Sequence, residues 1–302
     1  MYFVAMTNNL SSKISVIEQY VRCPETGGSL EYRTDHFYCQ ASDRKYPFSQ
    51  ESIVELLPPG PTSFSFDRRS AYHENIYKTL FSTKLAEANP EKSWAPPELV
   101  PEKWRTTKLN HVQFIRRLIE ETTNQRETYC DFTGASGYYT FEMAKHFKWV
   151  FHCDISSESM LYAKQRADKE GLQNIIFIRA DYFRPPFDGT LDLIYCGDTL
   201  IFSPSHEGLL LKGMYKSLKP GGYALFDFHN WWHNPIRRMG LMSNNFGECY
   251  SYNKAETLDF VTHHFPEHRH LGYYQEFRSG HRPAWMPGIF PNTRHMYAAR
   301  KT

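Results

Sequence analysis

The stretch from Tyr129 to Thr140 combines an acidic strand end, two glycines and small residues at a spacing suited to binding chemistry. Asp131 closes an apolar run, Gly134 and Gly137 permit a tight turn, and Ala135 and Ser136 keep bulk away from it. Phe141, Ala144 and Phe147 then recur at helical spacing. Such a strand-to-helix turn presents backbone N–H groups and a helix N-terminus to a ligand. About twenty positions on, the apolar run Trp149–Cys153 ends in Asp154, where nucleotide-binding α/β domains place a carboxylate for both ribose hydroxyls.

The surrounding elements follow one rhythm. Ser156 is suited to cap a helix that stops at Gly171. Asn174–Asp181 reads as a third strand and Leu191–Asp198 as a fourth. Ser203-Pro204 is expected to open a helix whose stripe runs through Leu211, Met214 and Leu218, with Lys219–Gly222 as its stop and Tyr223–Phe228 as the fifth strand. Strands alternating with helices predict an α/β fold with a doubly wound, Rossmann-like parallel sheet.

This ordered set resembles class I S-adenosylmethionine-dependent methyltransferases over roughly Asn110 to Lys301. The family's Asp-x-Gly-x-Gly-x-Gly motif stands here as Asp131-Phe-Thr-Gly-Ala-Ser-Gly137, with Thr133 and Ala135 in place of two glycines, and Leu218–Gly222 keeps the family's turn intact. The resemblance implies S-adenosylmethionine as cofactor. It implies contacts from Asp131, Thr133, Gly134, Ala135, Gly137, Asp154, Ile155, Asp181, Tyr182, Cys196 and Gly197, with Asp181 on the adenine side. Ala135 fits the turn if its φ stays negative, and the bulkier Thr133 is expected to shift the methionine end of the cofactor. The resemblance also places Asp198 beside the transferable methyl group. A dinucleotide fold is disfavoured, because the turn holds only Gly134-x-x-Gly137.

Histidines and aromatics outside these strands supply candidates for the acceptor side. His229 is a candidate catalytic residue with Asp198, since imidazole titrates near neutrality. Trp231, Trp232 and His233 follow the fifth strand, where segments leaving parallel strands line the crevice. Tyr72 and Tyr77 lie on a lid helix expected over 71–88, followed by a proline-rich stretch over 90–101. The acceptor is expected between that lid and Asp227–Pro235, above Asp198. A further helix is expected over 108–121.

The N-terminal residues carry a fainter pattern. Cys23-Pro-Glu-Thr26 and Cys39-Gln-Ala-Ser42 resemble the two knuckles of the small zinc-ribbon activators of methyltransferases, with Thr26 and Ser42 at two ligand positions. A neutral hydroxyl is a poor zinc ligand, so a metal-free ribbon packed on Leu30, Tyr32, Phe37, Tyr38 and Tyr46 is expected. The domain reading is therefore 1–60 as a degenerate ribbon, 61–109 as linker and lid, and 110–302 as the methyltransferase domain.

Composition narrows the function classes. Among 302 residues, 35 are basic and 33 acidic, for a net charge of +2, so the chain has no polyelectrolyte character. A mean hydropathy of −0.59 and the lack of a long apolar run argue against a membrane span. Six irregularly spaced cysteines fit reduced thiols, and a cytoplasmic location is expected. The resulting expectation is methyl transfer to nitrogen, oxygen or carbon of a small molecule of specialised metabolism. An RNA methyltransferase is the alternative, disfavoured by the lack of a basic face, and a catalytically silent binding protein is a third.

Overall fold

The computed structural model describes residues 12–48, 52–57, 112–113, 115–121, 125–200, 206–229, 251–273 and 294–302. Three short strands, β1 (Glu31–Arg33), β2 (His36–Cys39) and β3 (Arg44–Pro47), form an antiparallel sheet in the order β1-β2-β3. The main sheet contains β4 (Ile53–Glu55), β5 (Thr128–Asp131), β6 (Trp149–Asp154), β7 (Ile175–Arg179), β8 (Leu191–Cys196), β9 (Leu218–His229), β10 (Glu267–Tyr273) and β11 (Arg294–Arg300). Its order is β10-β11-β9-β8-β5-β6-β7-β4. Strands β4 to β9 pair in parallel, and β11 is antiparallel to both β9 and β10. Helices with both ends among the described residues are α1 (Tyr138–Met143), α2 (Ser157–Lys169), α3 (Glu207–Ser217) and α4 (Lys254–His264), and residues 12–20 and 115–121 are also helical. The Rossmann-like α/β expectation therefore holds.

The central strands read as near-continuous apolar runs because both faces of the sheet are covered. All six residues of β8 are buried. One core layer includes Met143, Met160, Ile115, Leu118 and Ile119, so residues 115–121 of the expected 108–121 helix bury their apolar stripe there. The other layer holds Leu210, Leu211 and Met214 of α3 together with Val16, Ile17, Tyr20 and Val21 of the N-terminal segment.

That segment is sewn into the sheet. β4 runs parallel to β7 in register Ile53↔Phe177, and the Leu56 amide donates to the Arg179 carbonyl at 2.9 Å. The Arg22 amide reaches the Pro186 carbonyl at 2.8 Å.

The ribbon resemblance gains no metal centre. Among the described residues, no group of three or more His, Cys, Asp or Glu side chains is placed to hold a metal ion. The four knuckle positions do converge, but through hydrogen bonds. Cys23 Sγ lies 3.4 Å from Ser42 Oγ and 3.1 Å from Tyr46 Oη, while Thr26 Oγ1 lies 3.6 Å from Cys39 Sγ. Of the residues expected to pack here, Leu30, Phe37 and Tyr46 are buried, Tyr32 packs half-buried against them, and Tyr38 is half-buried under the Arg33 guanidinium.

Two boundaries differ from expectation. α3 begins at Glu207, after His206 at its N-cap, whereas Ser203 and Pro204 lie outside the described residues. β9 begins at Leu218, so Lys219–Gly222 belongs to the strand. A bulge opposite Leu191–Leu193 and an ion pair from Lys219 to Asp192 at 2.8 Å accommodate the early start.

Candidate active site at the strand ends

The C-terminal ends of β5, β6, β7 and β8 lie side by side and carry Asp131, Asp154, Asp181 and Asp198 at or just beyond them. Gly137 caps α1 at φ +83, a conformation that glycine alone adopts without strain. Gly134 is fixed by packing beneath it. A Cβ there would stand 2.2 Å from the His152 ring, so the imidazole occupies the space a side chain would need. Ala135 sits at φ +48, so the condition of a negative φ under which it would fit the turn easily is not met. Its amide is drawn that way by a 2.9 Å hydrogen bond to Asp154 Oδ2.

Asp154 is nearly buried, and its Oδ1 accepts from the Ser156 amide at 2.9 Å. Ser156 in turn caps α2 by accepting from the Ser159 amide. Asp131 accepts from Thr140 Oγ1 at 2.8 Å, and Thr140 Oγ1 also contacts His152 Nδ1 at 2.8 Å. Burial pushes the Asp131 carboxyl up to about 7 and the His152 imidazole down to about 4. Thr133 Oγ1 bonds Thr199 Oγ1 at 2.7 Å, tying the glycine turn to the exit of β8.

The remaining cofactor-side candidates fall around this row. Ile155 is buried and its carbonyl accepts from Arg179 Nε at 2.9 Å. Asp181 Oδ1 accepts from the Phe183 amide at 3.0 Å, and the Tyr182 ring leans on Phe183. Cys196 is buried at the end of β8, with its thiol pushed up to about 12 by burial, and the Gly197 carbonyl accepts from Thr199 Oγ1 at 3.1 Å.

Asp198 and His229 meet. His229 Nε2 lies 2.9 Å from Asp198 Oδ1, although 31 residues separate them. Asp198 adopts φ +59, an uncommon conformation for a non-glycine residue and one that gathers at functional sites. Sequence reasoning missed the residue that completes the group. Arg294, opening β11, pairs with Asp198 through Nη2 and with Asp227 Oδ2 through Nη1 at 2.8 Å. The Asp227 Oδ1 atom accepts from the Asp198 amide at 3.0 Å. Its surroundings penalise the Asp198 charge, but Arg294 and then His229 outweigh that penalty and hold the carboxyl well below the usual range. Burial, aided by the charge of Asp198, pushes Asp227 up. No local motif marks Arg294, which reads only as the polar start of a strand.

Tyr72, Tyr77, Trp231, Trp232 and His233, and with them the expected lid and acceptor position, lie outside the described residues. A cleft of about 670 Å³ opens at the opposite, N-terminal edge of the strands. Lys148 pairs there with Glu127 and Lys219 with Asp192, while Arg126 donates to the Gln125 and Ile119 carbonyls.

Residues 130–222 match the family described as Methyltransferase domain. The putative methyltransferase YqeM of Bacillus subtilis is 27% identical over 116 residues, covering 37% of this chain and 46% of that protein. The chain thus spans less than half of this relative. Among solved structures, an S-adenosylmethionine-dependent methyltransferase from Clostridium acetobutylicum superposes with a TM-score of 0.52 at 14% identity, over 65% of this chain and 92% of that one. Geranyl diphosphate C-methyltransferase from Streptomyces coelicolor, in complex with Mg2+, geranyl diphosphate and S-adenosyl-L-homocysteine, gives 0.54 at 15% identity, over 81% and 100%. Among the described residues, no helix is long and apolar enough to cross a membrane. Residues 130–222 thus match a methyltransferase domain, and the sheet around them has the fold of S-adenosylmethionine-dependent methyltransferases.

Proposed function

We propose that this protein methylates a small-molecule acceptor at a proton-bearing nitrogen or oxygen, with Asp198 and His229 handling the proton. The observation that carries this reading is the Asp198–His229 contact at the exits of β8 and β9, beside the turn expected to hold the cofactor.

The donor set suits S-adenosylmethionine. Each Asp154 oxygen accepts one backbone N–H, from Ala135 or Ser156, and a carboxylate oxygen has a second lone pair to offer. Asp154 therefore retains capacity for two ribose hydroxyls. Asp181 and Tyr182 would flank the adenine, while Thr133, Gly134, Ala135 and Gly137 would line the other end with Cys196 and Gly197. The cofactor, when bound, supplies a methyl group already activated by its sulfonium.

The chain's own residues then align the acceptor, exclude water and take up one proton. The ionised Asp198 carboxylate needs a donor from His229 Nε2, which selects the Nε2–H tautomer and leaves Nδ1 as the proton-accepting nitrogen. With the cofactor bound, His229 Nδ1 would accept the proton that the acceptor's nitrogen or oxygen gives up as it gains the methyl group. The near-neutral chain favours a small molecule over RNA.

The test is calorimetric binding of S-adenosylmethionine, followed by transfer of labelled methyl to a panel of phenols, amines and oligoribonucleotides. His229→Ala and Trp231→Ala are expected to depress turnover while leaving cofactor affinity nearly intact. Absence of cofactor binding rejects the reading, and preferential labelling of RNA moves the acceptor to that class.

A further inference from the structure

The register of β9 and β11 sets Arg294 directly opposite His229, and Asp227 opposite Met296 two positions along. Alternation along a strand puts Arg294, Met296, His229 and Asp227 on one face of the sheet. Asp198 joins them from the end of neighbouring β8. The imidazole of His229 therefore has a carboxylate bonded to it and a second in the same cluster. Two anions beside an imidazole favour its charged form, and a charged imidazole has no lone pair with which to take a proton.

We propose that Arg294 is a positioning residue for the Asp198–His229 pair: by bridging Asp198 to Asp227 it offsets two carboxylates that would otherwise keep the imidazole protonated. This rests on the reading of His229 as the proton acceptor.

The geometry is specific to a guanidinium. One nitrogen, Nη1, meets Asp227 Oδ2 at 2.8 Å while the other, Nη2, meets Asp198 Oδ1. The planar fork spans two acids from two strands at once, which a single ammonium point charge does less well. Asp198 Oδ1 thus receives both Arg294 and His229, so the arginine also fixes the oxygen on which the imidazole is hung. Among the described residues, the other titratable groups whose charge reaches this cluster are Tyr195 and Cys196 of β8 and Tyr139 of α1. Burial raises all three, which leaves them neutral at physiological pH. His295, next to Arg294, sits on the opposite face near His270. Among these described groups, Arg294 is the cation that faces His229.

The measurement is the pH titration of the His229 imidazole by NMR in the full chain, its resonance assigned by its loss in His229→Gln. Arg294→Gln is expected to move the midpoint upward from wild type by about one pH unit. Arg294→Lys, which keeps the charge, is expected to move it less. Asp227→Asn removes a carboxylate with little change of shape and is expected to move the midpoint downward. If Arg294→Gln does not fold, Asp227→Asn decides the matter alone. A midpoint within about 0.2 unit of wild type in Arg294→Gln overturns the proposal, as does, where that variant does not fold, an unmoved midpoint in Asp227→Asn. Calorimetry with S-adenosylmethionine on the same samples separates the two readings. Wild-type protein that binds no cofactor removes the proposed function, while the titration still judges the charge role of Arg294.

Discussion

The Ala135 amide donates to Asp154 Oδ2 at 2.9 Å, joining the turn after β5 to the acid at the end of β6. The carboxylate therefore has two jobs. It shapes the turn after β5, and under the proposed function its remaining lone pairs would accept from the ribose hydroxyls. Because Oδ1 also holds the Ser156 amide at the start of α2, one side chain organises three adjoining elements.

Removing that carboxylate is expected to cost cofactor affinity. Charge-assisted hydrogen bonds contribute about 1.5–3 kcal/mol, so Asp154→Ala is expected to weaken S-adenosylmethionine by roughly tenfold or more. Calorimetry reads this directly. Asp154→Asn, which preserves one carbonyl oxygen, is expected to fall between the two.

Ala135 bears a backbone cost that glycine would not. Its φ of +48 places Cβ near a carbonyl oxygen, a strain of about 1–2 kcal/mol for an L-residue. Glycine recovers that strain but loses more chain entropy, by about 0.5–1 kcal/mol. Ala135→Gly is therefore expected to raise unfolding stability by about 0.5–1 kcal/mol, and Ala135→Val to lower it. Urea denaturation of the three proteins checks the order.

Two buried tyrosines are expected to respond oppositely to loss of the hydroxyl. The Tyr129 hydroxyl is buried in the core with no hydrogen-bond partner among the described residues. Tyr129→Phe removes a desolvated polar atom and is expected to be neutral or to stabilise by about 1 kcal/mol. Tyr252 donates toward Glu207 Oε1 at 2.6 Å and lies 3.1 Å from the Leu200 carbonyl. Tyr252→Phe is expected to destabilise by about 1–2 kcal/mol. Thermal and urea unfolding together distinguish these outcomes.

Stability is expected to depend on acid through His152. Burial holds this imidazole neutral, down to about 4 against an unfolded value near 6.5. The unfolded chain thus takes up a proton first. The contribution is complete above pH 6.5 and is lost as pH falls toward 4, amounting to roughly 3 kcal/mol. Asp131, pushed up to about 7, acts in the opposite sense, losing stability as pH rises from about 4 to 7. Comparing wild type with His152→Gln isolates the histidine: the difference in unfolding free energy should shift against wild type between pH 6.5 and 4. A difference that stays flat with pH contradicts the assignment.

What could be read from the sequence was local. Asp131, Gly134 and Gly137 lie within one strand, turn and helix, and Asp154 with Ser156 forms the next such junction, so short spacing and residue type suffice to place them. The same holds for the parallel order of the sheet, which follows from strands alternating with helices. The conformation of Ala135 was not local, because its positive φ goes with a carboxylate 19 residues away and a turn seated on the His152 ring. The boundary at Leu218 likewise depended on a bulge in β9 where it pairs with the distant strand β8. Arg294 was beyond reach of pattern altogether. It meets Asp198 and His229 because β11 inserts antiparallel beside β9 in a particular register, and a one-residue slip would turn its side chain to the other face. Residue type and spacing thus determined the cofactor-side framework, while pairing between distant strands decided which charges surround the imidazole.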